Sequence, residues 1–305
     1  VRTNARRVLA RVSAFVRLTR PTFLAGGFVG GAFGTALAAA RDRGVSPRRY
    51  ALAQAAITAF HLMTHYANDY FDRAGDVGAR RTPFSGGSGA LVDGSLPPRV
   101  ALVAARTCAA CGVLAAAALV ARRPVAGATA IALGTLAWCY SAPPVRLLGR
   151  GLGELDTAVV VSVLVPLCAY AAQGGRLDGR AAVATLPGAA AMFAMMIAVE
   201  YPDAAVDAAS GKRNLIVRLG VRDACRLGRG AVAVSAAAVA LAVGTGAPPT
   251  LAAFELLALA PGAALAAGFA EAPGVDGTSL AGRGVVFFFL VTFLATLAHA
   301  AESLG

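Results

Sequence analysis

Charge is what this chain has least of. Asp, Glu, Lys and Arg together make up 14% of 305 residues, against 57% hydrophobic residues and a mean hydropathy of +0.66. An ordinary globular domain carries about a quarter charged residues, so there is too little polar surface here to cover a water-soluble particle. Intrinsic disorder is excluded by the same figures, since disordered chains are poor in apolar residues and rich in charge. Lysine is almost missing: of 28 basic residues, Lys212 alone is not an arginine. Heavy Ala and Arg usage fits a GC-rich genome, and no basic face on a soluble fold is visible, so nucleic acid is not an expected partner. The cysteines are odd in number, and Cys108, Cys111, Cys139 and Cys168 lie inside apolar runs. Cys108 and Cys111 have no second pair or histidines nearby, and they read as small packing residues rather than a zinc or redox site. No cleavable signal peptide is expected, because the first long apolar run follows an Arg-rich stretch and is one of many.

What the chain does have is long apolar segments. A spanning helix needs about twenty mostly apolar residues. Runs between Arg-, Gly- and Pro-rich breaks give nine: Pro21 to Ala40, Tyr50 to Tyr70, Val100 to Val120, Val125 to Tyr140, Gly153 to Ala172, Ala181 to Tyr201, Ala231 to Gly246, Thr250 to Phe269 and Gly284 to Ala301. The expected fold is therefore all-α, a polytopic membrane bundle of nine transmembrane helices forming a single domain over 1–305, with residues 1–20 as a basic amino-terminal segment. Ala- and Gly-rich faces suit close helix packing where lipid supplies no hydrophobic drive. Counting Lys and Arg in alternate loops gives 19 on the side of the amino terminus and 8 on the other. The positive-inside bias then puts the amino terminus and the even-numbered loops in the cytoplasm.

The scarce acids are not scattered. NDYFDRAGD ends the second segment, with Asn68, Asp72 and Asp76 spaced by four, one stripe on a continuing helix. EYPDAAVDAASGKRNL ends the sixth, with Asp203 and Asp207 again at i and i+4 and Glu200 one turn earlier. By the charge count, both stripes emerge on the cytoplasmic side. Like charges at i and i+4 repel, so such a stripe costs stability unless a cation sits between them. Oxygen ligands select hard cations, and Mg²⁺ is usually held by one or two carboxylates plus substrate phosphates. Lys212 and Arg213 follow the second stripe, and Arg73, Arg80 and Arg81 the first. Carboxylates, a metal and cationic donors together describe a diphosphate clamp. One such stripe alone reads as solvated loop acids; two on one face favour the clamp.

These motifs resemble those of the UbiA-type intramembrane prenyltransferases, over essentially the whole chain. NDYFDRAGD is similar to that family's first Asp-rich motif, and DAAVD with GKRNL to its second. PFSGGSGALVDG, Pro83 to Gly94, and YSAPPVRL with RGLGEL, Tyr140 to Leu155, resemble stretches of the menaquinone-biosynthesis branch. The resemblance implies helices around a central cavity and Mg²⁺-dependent transfer of a prenyl group from a polyprenyl diphosphate to an aromatic acceptor, within the membrane lipid. It implies that Asn68, Asp72 and Asp76 hold one metal and Asp203 and Asp207 the other. Lys212 would contact the diphosphate, Tyr140 matches an ordered tyrosine, and Arg20, Arg146 and Arg213 are further substrate contacts. Val199 and Glu200 depart from the branch, which often has Asn there; the ring proton has two candidate acceptors, Glu200 or an Asp of the second stripe. His61 and His65 lack a third metal ligand, and His65 reads as polar cavity lining.

Two other readings use the same residues. A terpene cyclase would ionise a prenyl diphosphate without an acceptor, and a cation-coupled transporter would place its carboxylates near the midplane on broken helices rather than at helix ends. Incubation with Mg²⁺ and geranylgeranyl diphosphate, without acceptor, should yield no cyclic hydrocarbon as the main product. If it does, the transferase reading fails.

Overall fold

The structure, a computed structural model, describes residues 2–41, 44–77, 83–84 and 87–304. Arg80 and Arg81 lie outside the described residues. Among the described residues all regular structure is helical. The order is α1 (Arg2–Thr19), α2 (Pro21–Ala39), α3 (Pro47–Asp72), α4 (Pro98–Arg122), α5 (Pro124–Cys139), α6 (Gly153–Val159), α7 (Val165–Ala172), α8 (Gly179–Glu200), α9 (Ala204–Ala209), α10 (Leu215–Leu219), α11 (Val221–Gly244), α12 (Thr250–Glu255), α13 (Leu259–Glu271) and α14 (Gly277–Glu302).

Local sequence sets these limits. Proline opens α2, α3, α4 and α5, where its missing N–H is not needed. Asp178 and Asp276 cap α8 and α14, accepting from the Ala181 amide at 2.8 Å and the Ser279 amide at 2.7 Å. A π-turn over Val160–Leu164 joins α6 to α7 just before Pro166. Proline there cannot donate to the preceding turn, and the wider turn absorbs the mismatch.

Seven helical stretches are long and apolar enough to cross a membrane: Pro21–Ala39, Pro98–Arg122, Gly153–Ala172, Gly179–Ala209, Val221–Gly244, Thr250–Glu271 and Gly277–Glu302. The other two expected ranges are also helical. Pro124–Cys139 is shorter, and α3 carries polar residues from its middle onward, including Thr58, His61, Thr64, His65 and Asn68. Two boundaries move from expectation. Helix α11 starts at Val221 rather than Ala231, because Ala224, Cys225 and Gly228 turn a buried face inward while the arginines between them stay outside. Similarly, α14 starts at Gly277 rather than Gly284, with Leu280 and Ala281 buried. The basic amino-terminal segment is itself the helix α1.

Two apolar cores stand side by side. One joins α3, α4, α5 and α7; the other joins α8, α11, α13 and α14. Helix α2 touches α3, α7 and α14, and so joins the two. Its glycines are what let it. A Cβ at Gly34 would run into the Pro166 backbone, one at Gly30 into Val165, and one at Gly27 into the His61 ring. Large apolar side chains such as Val113, Leu114 and Leu257 stay on the outside, as a lipid-facing surface requires.

Replacing Gly34 by valine should lower thermal stability in detergent by about 1–3 kcal/mol through overpacking. Gly230→Ala, where nothing approaches the added carbon, should be neutral or stabilising by up to about 1 kcal/mol. An unchanged melting temperature for Gly34→Val would contradict the backbone contact.

Candidate active site

Between the two cores lies a mostly apolar chamber of about 360 Å³. Its depth is walled by Val161, Met192, Met195, Phe288 and Phe289, and its polar end by both acidic rows. Asn68 and Asp72 come from the end of α3 and Asp76 from the turn that follows it, Asp203 comes from the turn into α9 and Asp207 from α9 itself, and all five line it. The helical spacing explains each row: residues four apart return to one face. The rows are joined across the gap by one side chain. Lys212 Nζ lies 3.0 Å from Asp76 Oδ1 and 3.1 Å from Asp207 Oδ1. Burial pulls the Lys212 ammonium down, but the two carboxylates outweigh it and hold it above the ordinary lysine value.

The rows are held from behind as well. Asn68 Nδ2 donates to Asp72 Oδ2 at 2.6 Å and to Ser141 Oγ at 3.0 Å. Asn214 Nδ2 donates to Asp207 Oδ2 at 2.9 Å, while its Oδ1 caps α10 through the Val217 amide at 3.1 Å. Arg20 pairs with the buried Asp69, which also accepts from Ser88. Arg146 reaches Asp72 Oδ1 at 3.4 Å. Arg20 and Arg146, with φ of 48° and 46°, are the non-glycine residues of positive φ among those described. Each thus holds a disfavoured backbone while reaching an acid at the end of α3, Arg20 at Asp69 beside the row and Arg146 at Asp72 within it, and such strain persists only where the surroundings over-determine it.

The remaining predicted residues divide. Tyr140, His65, Arg20 and Glu200 line the chamber. His65 Nδ1 donates to the Thr19 carbonyl at 2.8 Å, which ties α3 to the α1–α2 turn and leaves its ring at the wall. Arg213 is exposed and does not line the chamber, and Arg73 turns away to lie over the Tyr70 ring. Among the described residues no three His, Cys, Asp or Glu converge into a metal cluster; the acids stand in two rows about a lysine instead. All five cysteines are free.

Asp69, Asn214, Glu154 and Ser141 carry supporting bonds that spacing did not single out. Asp69 sits about 100° around the helix from Asn68, off the stripe, where it meets Arg20. Its signal was an acid beside the stripe with an Arg-Pro upstream. Glu154, fully buried, accepts from the Leu215 amide and so docks the GKRNL turn onto α6.

The comparisons agree with this architecture. A model of the UbiA prenyltransferase family matches residues 28–291. Among solved structures the chain is similar to a UbiA homologue from Archaeoglobus fulgidus bound to GPP and Mg²⁺, with a TM-score of 0.70 at 15% identity over 94% of this chain and 99% of that one. It is also similar to digeranylgeranylglyceryl phosphate synthase (TM-score 0.69, 12% identity, 95% and 99% covered). A third match is the apo UbiA homologue from Aeropyrum pernix K1 (0.62, 16%, 90% and 96%). At these identities the likeness is one of fold. Against curated proteins the sequence finds no significant match.

Asn214→Ala removes both the cap of α10 and the restraint on Asp207, and should lower stability by about 0.5–2 kcal/mol in thermal unfolding. Asn214→Asp keeps the cap but sets a carboxylate against Asp207, so it should recover stability less than its helix-capping strength suggests. A wild-type melting point for Asn214→Ala would remove Asn214 from the site's framework.

Proposed function

Because the chain belongs to the UbiA prenyltransferase family, it is a prenyltransferase and an integral multi-pass membrane protein. We propose that it transfers a prenyl group from a polyprenyl diphosphate to an aromatic acceptor within the membrane. One observation carries this reading: two acidic rows clasped by Lys212 at the polar end of an otherwise apolar chamber. Such a cavity suits a molecule with a strongly anionic head and an apolar tail.

Asn68, Asp72 and Asp76 on one side and Asp203 and Asp207 on the other would hold Mg²⁺. The donor set fits, since all five offer only oxygen or amide ligands, and Mg²⁺ takes one or two carboxylates together with substrate phosphates. The spread of the acids into two rows suits a metal whose shell is completed by the diphosphate. Held there, Mg²⁺ would supply Lewis-acid stabilisation of the charge on a leaving diphosphate.

The chain's own residues do the rest. Lys212 gives its ammonium to the diphosphate, where it acts on charge that grows as the C–O bond breaks. The electron pair of that bond leaves with the oxygen, and the allylic fragment becomes cation-like. The apolar wall of Val161, Met192, Met195, Phe288 and Phe289 keeps water from it. An electron-rich ring then attacks, and Glu200, buried at the wall, takes the ring proton. Glu200 Oε2 is buried without a geometric hydrogen-bond partner among the described residues. Tyr140 and His65 border the same space and orient the acceptor's polar groups. The motif resemblance to the menaquinone branch supports an acceptor of the dihydroxynaphthoate type. The nine apolar runs support nine spans in one domain, and the basic-residue bias supports placing the amino terminus and both rows on the cytoplasmic side.

Asp72→Ala and Asp203→Ala should each lower diphosphate release in membranes by about 10²-fold or more. Chelation of divalent metal should abolish turnover, and added Mg²⁺ should restore it. Wild-type turnover in either variant would remove that row from the chemistry. Glu200→Gln should slow acceptor prenylation while leaving metal-dependent loss of prenyl diphosphate measurable; equal rates for prenylation in variant and wild type would exclude Glu200 as the base.

A further inference from the structure

The wall formed by Asp72 and Lys212 has a second side. Behind it lies a separate cavity of about 460 Å³ to which both residues also contribute. Its other walls come from the turn between α5 and α6, with Arg146 and Arg150, and from the turn at Ser210 and Gly211. Neither Arg146 nor Arg150 lines the apolar chamber. The second cavity's lining thus holds three cations and one carboxylate, with Lys212 shared with Asp76 and Asp207 on the chamber side. Arg150 is fixed at the rim by donating to the Pro144 carbonyl at 3.1 Å, and Arg146 is tied to Asp72 while remaining half exposed. Gly75, Gly149 and Gly211 line the cavity without filling it.

We propose that this vestibule binds the inorganic diphosphate product and passes it to the aqueous side. The inference rests on the transferase reading above. When the prenyl C–O bond breaks, the oxygen keeps the electron pair, and a polyanion is left beside Asp72 and Lys212 while the prenyl group stays in the chamber. Passage through the apolar depth would strip the anion of its solvation. The vestibule offers instead a fresh set of cationic donors one step away. Arginine forks suit phosphate oxygens, and moving from Lys212 to Arg146 and Arg150 never leaves the anion unpaired. The phosphate of a lipid headgroup has the same chemistry, so the test separates the two.

Gly149 is the place to plug the vestibule. A Cβ there meets only the Arg146 Cβ, at 4.0 Å, and its φ is not left-handed, so a side chain is accommodated. In Gly149→Trp the first turnover should stay within about twofold of wild type while steady-state turnover falls about fivefold or more, which appears as a burst. In Arg150→Gln the constant for product inhibition by inorganic diphosphate should rise about tenfold, and calorimetric titration with inorganic diphosphate should weaken in parallel. The second variant stands alone if the first does not fold. Unchanged steady-state turnover with unchanged diphosphate inhibition overturns the proposal, as does a first turnover slowed as much as the steady state. Both variants are assayed in phosphatidylcholine vesicles with and without phosphatidylglycerol. An effect confined to the anionic vesicles assigns the vestibule to a headgroup and also overturns the proposal. A wild-type protein that never forms prenylated product fails at the earlier reading instead.

Discussion

One ammonium group between two carboxylates organises the centre of this molecule. Asp76 ends the first acidic row and Asp207 the second, and Lys212 lies about 3 Å from both. Removing Lys212 would leave two rows of like charge facing each other at the polar end of an apolar chamber, a costly arrangement. The surrounding hydrogen bonds follow from the same constraint. Asn68, Ser141 and Asn214 each occupy an oxygen or donor that would otherwise be unpaired near the acids, and the rows stay in register because of them. A ligand that brings its own negative charge, with cations of its own, relieves this tension rather than adding to it.

The arginines show how the same electrostatic problem is met by the backbone. Arg20 lies in the α1–α2 connection and Arg146 in the α5–α6 connection, and both adopt left-handed φ. A glycine would hold that turn with less strain, but it would bring no charge. The turn and the ion pair are thus built from one residue in each case, which couples the α1–α2 connection to Asp69 and the α5–α6 connection to Asp72 of the first row.

Much of this was legible in the sequence, and the gaps have physical causes. The apolar runs marked the helices because lipid demands length and apolarity, and the i, i+4 acids marked the rows because helix geometry returns them to one face. Helix starts were less legible at α11 and α14, where arginines on an outward face read as loop while Ala224, Gly228 and Ala281 beside them are buried. Arg213 was singled out for its place beside Lys212, yet adjacent residues on a turn point apart, and it ends exposed. Asp69 and Asn214 were missed for the converse reason: their partners, Arg20 and Asp207, are either distant in sequence or defined by a turn, and periodicity carries no information about either. Residue spacing reports a face, whereas partners across the bundle come only from the fold.

The glycines of α2 limit how the chamber can accommodate guests. Gly27 lines the chamber, and Gly30 and Gly34 behind it pack α2 against Val165 and Pro166 of α7 with no slack, so that flank behaves as a fixed keel. The opposite flank is faced by Met192, Met195 and Met196, unbranched side chains that re-seat at little cost. Any adjustment of this cavity to differently shaped guests would therefore rest on thioether rotamers on α8 rather than on helices sliding apart.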